Sequence, residues 1–248
     1  MLSTYESPLL ERGLGSVAGA DEAGRGACAG PMVAAAVVLD PDRPISGVAD
    51  SKALSPKRRE ELCQQILDRA AAVAWVRVEP RECDELGMHE ADLQGMRRAV
   101  ARLAVRPAFV LTDGFPVDGL GVPTLGMWKG DQVAACVSAA SIVAKVQRDA
   151  IMVGYEDCYP GYGLAAHKGY CTTAHRVALR ELGPSPIHRL LYYLRGLRGK
   201  AAKIKEKRSC KRAVWPASVH CRRRGSFIVR LHNCAERETR GHRGSSRT

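Results

Sequence analysis

The chain has 248 residues, 46% of them hydrophobic, enough for a sizeable core in one or two domains. No apolar run approaches the roughly 18 residues of a membrane-spanning helix, and residues 1–12, with Glu6 and Glu11, lack the basic start and apolar centre of a secretory signal. The net charge of +12 does not make the whole chain a nucleic-acid binder: 16 of the 38 Lys and Arg but only 3 of the 26 Asp and Glu fall in residues 198–248, so residues 1–197 balance at −1. The 9 Cys are irregularly spaced with no C-x-x-C pair, and read as reduced, partly buried thiols of a cytoplasmic protein.

In chain order, residues 17–20 are a short run of small and β-branched residues that predicts a buried strand. It runs into Asp21-Glu22-Ala23-Gly24-Arg25-Gly26. After Gly30-Pro31, residues 34–39 predict a second strand, which a tight turn would place antiparallel to the first. Ser55 suits an N-cap and Pro56 a first helical position, opening a helix to about residue 72 with Leu62, Ile66 and Ala70 on one face. Residues 74–78 predict a strand, and 89–103 a helix with Leu93, Met96, Val100 and Leu103 inward. Residues 109–112 predict a strand ending in Asp113, and 133–153 a long helix whose small residues allow close packing on a sheet. Residues 159–169 read as loop, and Thr173–Leu182 as a helix stopped by Gly183-Pro184. The alternation predicts an α/β layer fold: a lead of 1–16, a folded body of 17–197, and a basic tail of 198–248 expected to be disordered.

Asp21 and Glu22 are adjacent anions at a half-buried strand end, which is costly unless a cation sits between them. Asp113 and Asp131 also lie at the ends of predicted buried elements, so one sheet edge could gather all four. Oxygen donors without a neighbouring His or Cys favour Mg²⁺ or Mn²⁺ over zinc. Two such ions about 3.5–4 Å apart are the usual arrangement for phosphodiester hydrolysis. Taken singly, Asp113 and Asp131 serve equally well as turn formers or caps.

Other residues carry weaker signals. Ser141, Lys145 and Arg148 recur at i, i+4 and i+7 and could present one helix face to a phosphate backbone, or simply to solvent. Asp149 suits pairing with Arg148 or a local cap. His167, His175 and His188 are too loosely spaced for a metal site and are expected to pack or hydrogen-bond. Neither Gly13-Leu14-Gly15 nor Gly24-Arg25-Gly26 completes a dinucleotide-binding G-x-G-x-x-G loop.

Several motifs together, in order, resemble bacterial ribonuclease HII. They are Asp21 to Gly26, Asp50-Ser51-Lys52-Ala53-Leu54-Ser55, Thr112-Asp113-Gly114, Lys129-Gly130-Asp131 and the run from Ser138 to Asp149. Tyr159-Pro160-Gly161-Tyr162-Gly163, His167-Lys168-Gly169-Tyr170, Gly183-Pro184 and Ile187-His188-Arg189 complete the set. The resemblance implies a ribonuclease H-like fold, with a mixed central sheet flanked by helices and a C-terminal helical portion, and makes residues 17–197 the catalytic domain. It implies an endonuclease that cuts the RNA strand of RNA–DNA hybrids and incises at single ribonucleotides in duplex DNA, leaving 5′-phosphate and 3′-hydroxyl ends. It implies Asp21, Glu22, Asp113 and Asp131 as catalytic metal ligands for two Mg²⁺ or Mn²⁺ ions, with Asp21 as the bridge.

The same resemblance makes the Gly24-Arg25-Gly26 backbone the reader of the ribose 2′-OH, the group that separates RNA from DNA locally. It sets Tyr170 against the sugar at the RNA-to-DNA junction and gives Ser51-Lys52 a phosphate contact. Arg189 is a further candidate substrate contact, and a monomer without membrane association is expected. A ribonuclease HIII-type nuclease and a catalytically silent hybrid-binding module are the alternatives. After about Leu190 the resemblance ends. The basic tail could add salt-sensitive affinity for nucleic acid or stay without a partner, and Cys210, His220, Cys221, His232 and Cys234 do not match a closed zinc motif.

Overall fold

Strands β1 (Val17–Ala23), β2 (Met32–Val38), β3 (Ala72–Val78), β4 (Phe109–Asp113) and β5 (Thr124–Met127) form one sheet in the order β3-β2-β1-β4-β5. The computed structural model describes residues 6–13, 15–48 and 54–191. Ser51, Lys52 and the basic tail therefore lie outside the described residues. Strand β2 runs antiparallel to both β1 and β3, whereas β1–β4 and β4–β5 are parallel. The expected antiparallel start and mixed sheet are both present.

The sequence of β2, MVAAAVV, is apolar throughout because both faces of the strand are covered. Val33, Ala35 and Val37 pack with α6 (Ala135–Cys158) and with Leu62, Cys63 and Ile66 of α2 (Pro56–Arg69). Ala34, Ala36 and Val38 pack with Met96, Ala99 and Val100 of α4 (Met88–Ala101) on the other face. Ser55 caps α2 as expected, its hydroxyl accepting the Arg58 N–H at 3.3 Å.

Helix α6 lies on β1 so closely that a Cβ on Gly19 would come within 2.1 Å of the Cys136 carbonyl carbon. Glycine at this strand position is what lets the helix approach the sheet two residues before Asp21.

Several boundaries shift by a few residues, and the larger differences concern β1, the long helix and short elements. Strand β1 continues through Asp21 and Glu22 to Ala23, because β2 keeps pairing with it as far as Ala23↔Val33. The long helix breaks at Ala134, which is extended (φ −124°, ψ 124°), separating a one-turn α5 (Gly130–Val133) from α6. Helices α1 (Glu6–Glu11) and α3 (Pro80–Leu86) and the edge strand β5 were not predicted; all are short, and β5 has only four residues, TLGM. The 159–169 segment contains a one-turn helix, α7 (Leu164–His167), followed by α8 (Thr173–Leu182) at the predicted bounds. Together α7 and α8 are the C-terminal helical portion. No helix among the described residues is long and apolar enough to cross a membrane.

Candidate active site

The acids gather where β1 and β4 end their parallel pairing. The register Ala20↔Thr112 places Asp21 and Asp113 each one residue beyond the last paired position. Asp21 is 5% exposed; Glu22 and Asp113 are half-buried. The Glu22 N–H donates to Asp21 Oδ1 at 2.7 Å, and the Ser141 hydroxyl of α6 also bonds the Asp21 carboxyl. Asp113 Oδ1 accepts the Gly130 N–H at 2.7 Å. That bond ties the end of β4 to α5, whose next residue, Asp131, is buried.

These carboxyls strain against one another. Burial, then the negative charges of Glu22 and Asp113, push Asp21 well above the usual carboxylate range, against the hydrogen bonds it accepts. Burial and the charge of Asp92 lift Glu22 to about 7, while Asp21's hydrogen bond and Arg25 oppose the shift. Asp92, on α4, is likewise lifted to about 7, by burial first, with Asp21 and Asp113 adding to the push and Arg25 opposing it.

Among the described residues no three His, Cys, Asp or Glu side chains are already gathered as ligands of one ion. The donors are nonetheless all oxygen, and the excess negative charge suits a hard divalent cation.

A second assembly stands beside the acids. Gly24 has φ +93°, and a Cβ there would lie 1.8 Å from Nε of Arg148, so only glycine lets the loop lie across that side chain. The fully buried Arg189 guanidinium donates to the carbonyls of Gly24 (2.8 Å), Arg25 (3.1 Å) and Gly30 (3.0 and 3.1 Å). The equally buried Arg148 donates to Pro31 (3.0 Å) and Ala29 (3.1 Å). Cys28 and Ala29 both donate their N–H to the Gly169 carbonyl, at 3.0 and 3.1 Å. The Gly24-Arg25-Gly26 loop and Tyr170 thus share one platform.

Three histidines brace that platform. The Ser185 N–H donates to His188 Nδ1 at 3.0 Å, so Nε2 of His188 carries the proton and donates to His175 Nε2 at 3.0 Å. His175 Nδ1 then donates to the Tyr170 carbonyl at 3.0 Å. His167 accepts the Gly169 N–H at Nδ1 (3.1 Å) and donates from Nε2 to Tyr162 (2.8 Å), and its ring stacks on His175 at 4.2 Å. Burial, then the neighbouring His175, depress His188 to about 4. The expectation of packing and hydrogen-bonding roles holds for all three histidines.

The helical face expected to meet phosphate divides into separate tasks. Ser141 turns to Asp21, and Arg148 reaches inward because the loop carbonyls need its donors. Lys145 pairs at 2.7 Å with Asp149, for which pairing with Arg148 or a local cap is the sequence expectation. Lys145 Nζ and Arg148 Cζ lie 5.8 and 5.3 Å from the ring centroid of the partly exposed Tyr170. Arg189, a candidate substrate contact, is a loop clamp. Asp92 escaped the sequence reading. Its signal was an acid at i, i+4 and i+7 with Met96 and Ala99, on the buried face of α4.

A family model described as Ribonuclease HII matches residues 18–194. Ribonuclease HII of Cutibacterium acnes is 63% identical over 190 residues, covering 76% of this chain and 93% of that one. The Nocardioides sp. ribonuclease HII is 54% identical over 190 residues, covering 76% and 79%. Among solved structures, the ribonuclease H2 of Pyrococcus horikoshii superposes with a TM-score of 0.61 at 31% identity, covering 71% of this chain and 93% of that one. The RNase HII of Archaeoglobus fulgidus, solved in a complex with PCNA, superposes at 0.62 and 27% identity, covering 77% and 98%. The fold is therefore ribonuclease H-like. With a matching family model over most of its length and relatives above half identity, this chain belongs to the ribonuclease HII family of ribonuclease H endonucleases.

Proposed function

We propose that this protein hydrolyses RNA–DNA hybrids with two divalent ions held by Asp21, Glu22, Asp113 and Asp131, and that it incises at single ribonucleotides embedded in duplex DNA. Family membership carries the coarser part, an enzyme that cleaves the RNA strand of such hybrids, and decides against the ribonuclease HIII and silent-module alternatives. The observation that carries the finer part is the mutual repulsion of Asp21, Glu22 and Asp113 beyond the last paired residues of β1 and β4. Bound Mg²⁺ or Mn²⁺ would offset that repulsion, lower the pKa of an attacking water and stabilise the leaving 3′ oxygen, giving 5′-phosphate and 3′-hydroxyl ends.

The chain's own groups do the rest. Ser141 and the Glu22 N–H orient Asp21. The Gly130 N–H fixes Asp113 and sets Asp131 beside it along the chain. The Arg189 and Arg148 clamps hold Gly24-Arg25-Gly26 rigid for reading a ribose 2′-OH, which favours recognition by removing loop entropy beforehand. Tyr170, braced through its carbonyl by His175, offers an aromatic face to the neighbouring deoxyribose. Lys145, beside that ring, is suited to an adjacent phosphate. A cytoplasmic monomer acting on nucleic acid belongs to the same proposal.

The test is cleavage of a DNA duplex carrying one ribonucleotide, with Mg²⁺ or Mn²⁺ and with chelator. Incision beside the ribonucleotide that disappears with chelator supports the proposal. Cleavage of long hybrids without incision of the single-ribonucleotide duplex rejects its finer part.

A further inference from the structure

Asp92 is the unexplained charge of the site. Its side chain is fully buried, and among the described residues neither carboxylate oxygen takes a hydrogen bond. Its counter-charge is Arg25, whose Nη1 approaches Oδ2 at 3.1 Å without hydrogen-bond alignment. The other charged groups that bear on it, Asp21, Glu22 and Asp113, are all acids. A buried anion so placed weakens the fold, since burial without hydrogen bonds is unfavourable and the like charges add to it.

Arg25 is placed differently. Its side chain is 42% exposed, and its Cζ lies 5.4 Å from the ring centroid of Phe115 in the β4–β5 connection. Its guanidinium therefore spans from the buried Asp92 to solvent. Its backbone is fixed independently, by the Arg189 donor to the Arg25 carbonyl. An arginine needed only for loop structure would not require a buried anion at its tip.

We propose that Asp92 is a positioning residue that holds the Arg25 guanidinium against Phe115, so that its planar fork meets a backbone phosphate of the hybrid beside the ribonucleotide. The proposal rests on the hybrid-nuclease reading for its ligand, but the ion pair itself can be tested without substrate. Water can solvate Arg25 if Asp92 is neutralised, whereas nothing in the interior compensates Asp92 if Arg25 is removed.

The experiment is a double-mutant cycle with Asp92→Asn, Arg25→Ala and the double variant. Thermal unfolding and steady-state cleavage of the single-ribonucleotide duplex are both measured. Asp92→Asn is expected to melt at or above the wild-type temperature, and Arg25→Ala below it, with the double variant restored towards wild type. In cleavage, each single variant is expected to raise KM about tenfold with little change in kcat, and the double variant is expected to be no worse than either.

A structural ion pair would give the opposite stability result, with Asp92→Asn melting well below wild type; that outcome overturns the proposal. So do KM effects that multiply in the double variant, or an unchanged KM for Asp92→Asn. If wild type cleaves neither this duplex nor a long hybrid, the functional reading fails separately. The same cycle is then read from the stability arm, and from duplex affinity by fluorescence anisotropy without divalent ions, where Asp92→Asn must weaken binding as Arg25→Ala does.

Discussion

Two clusters of ionisable groups face each other across the loop of residues 24–31, and they are built on opposite principles. On the arginine–histidine side, donors meet acceptors: Arg189 spans three carbonyls, Arg148 two, and His188, His175 and the Tyr170 carbonyl form a chain in which each proton has one place. On the acidic side, burial and neighbouring negative charges, that of Asp113 among them, raise the proton affinity of Asp21, Glu22 and Asp92, with Arg25 acting against the shift at Glu22 and Asp92. The first cluster leaves one buried donor, Arg148 Nη1, without an acceptor among the described residues, and otherwise pairs its groups and makes the loop rigid. The second is unbalanced until something positive joins it. A site that binds metal and substrate needs both, because a ligand is worth most where the frame does not have to reorganise.

The contrast breaks most sharply on the acidic side. Asp21→Asn or Asp113→Asn is expected to lower cleavage about a thousandfold while leaving the fold intact, since the change relieves repulsion and removes a cation ligand. Unchanged cleavage by either variant would mean that these acids have no catalytic role. On the other side, Arg189→Met should leave catalytic chemistry in place but destabilise the protein by about 3 kcal/mol or more, because several buried carbonyls lose their donor together. Chemical denaturation measures this, and a loss below about 1 kcal/mol would show that the clamp is dispensable.

Protons separate the clusters again, with opposite signs. His188 has a folded pKa of about 4, below its unfolded value of about 6.5. Its neutral form therefore favours the fold above about pH 6.5, and stability worth up to about 3 kcal/mol is lost as pH falls towards 4. Glu22 is raised to about 7, so in metal-free protein it favours the fold at low pH and weakens it as pH climbs from about 4.5 to 7. Stability curves of wild type and His188→Asn should thus converge as pH falls from 7 to 4; parallel curves would remove His188 from the balance. The smallest effect expected is at the platform's surface. Tyr170→Ala should reduce incision at an isolated ribonucleotide about tenfold, and cleavage of a long hybrid less, as suits the loss of one sugar contact. Equal losses on both substrates would remove the junction role.

Much of this division is visible in the sequence, but unevenly. Asp21-Glu22 stood out because two adjacent acids have no simple structural use, and the apolar runs located β1, β2 and β4 around them. Thr173–Leu182 carried its C-terminal boundary in Gly183-Pro184, and the structure adds the Thr172 hydroxyl as its N-cap. The sequence does not show where Arg148 points, because helical spacing records which residues share a face but not whether that face meets solvent. Only the packing of the 24–31 loop onto α6 reveals what its donors satisfy. Asp92 was missed because one acid within an amphipathic helix carries no local mark of function. Its meaning comes from Arg25, 67 positions earlier in the chain. Strand β5 was missed because four residues at a sheet edge leave too short a pattern to read.

The most direct test of the unbalanced acidic corner is a titration of Mn²⁺ into the protein, followed by electron paramagnetic resonance, for wild type, Asp21→Asn and Asp113→Asn at pH 6 and pH 8. Wild type should bind more tightly at pH 8, where Glu22, raised to about 7, has mostly lost its proton, and both variants should bind at least about tenfold more weakly. Equal Mn²⁺ affinity in all three proteins, with no gain between the two pH values, would contradict the account.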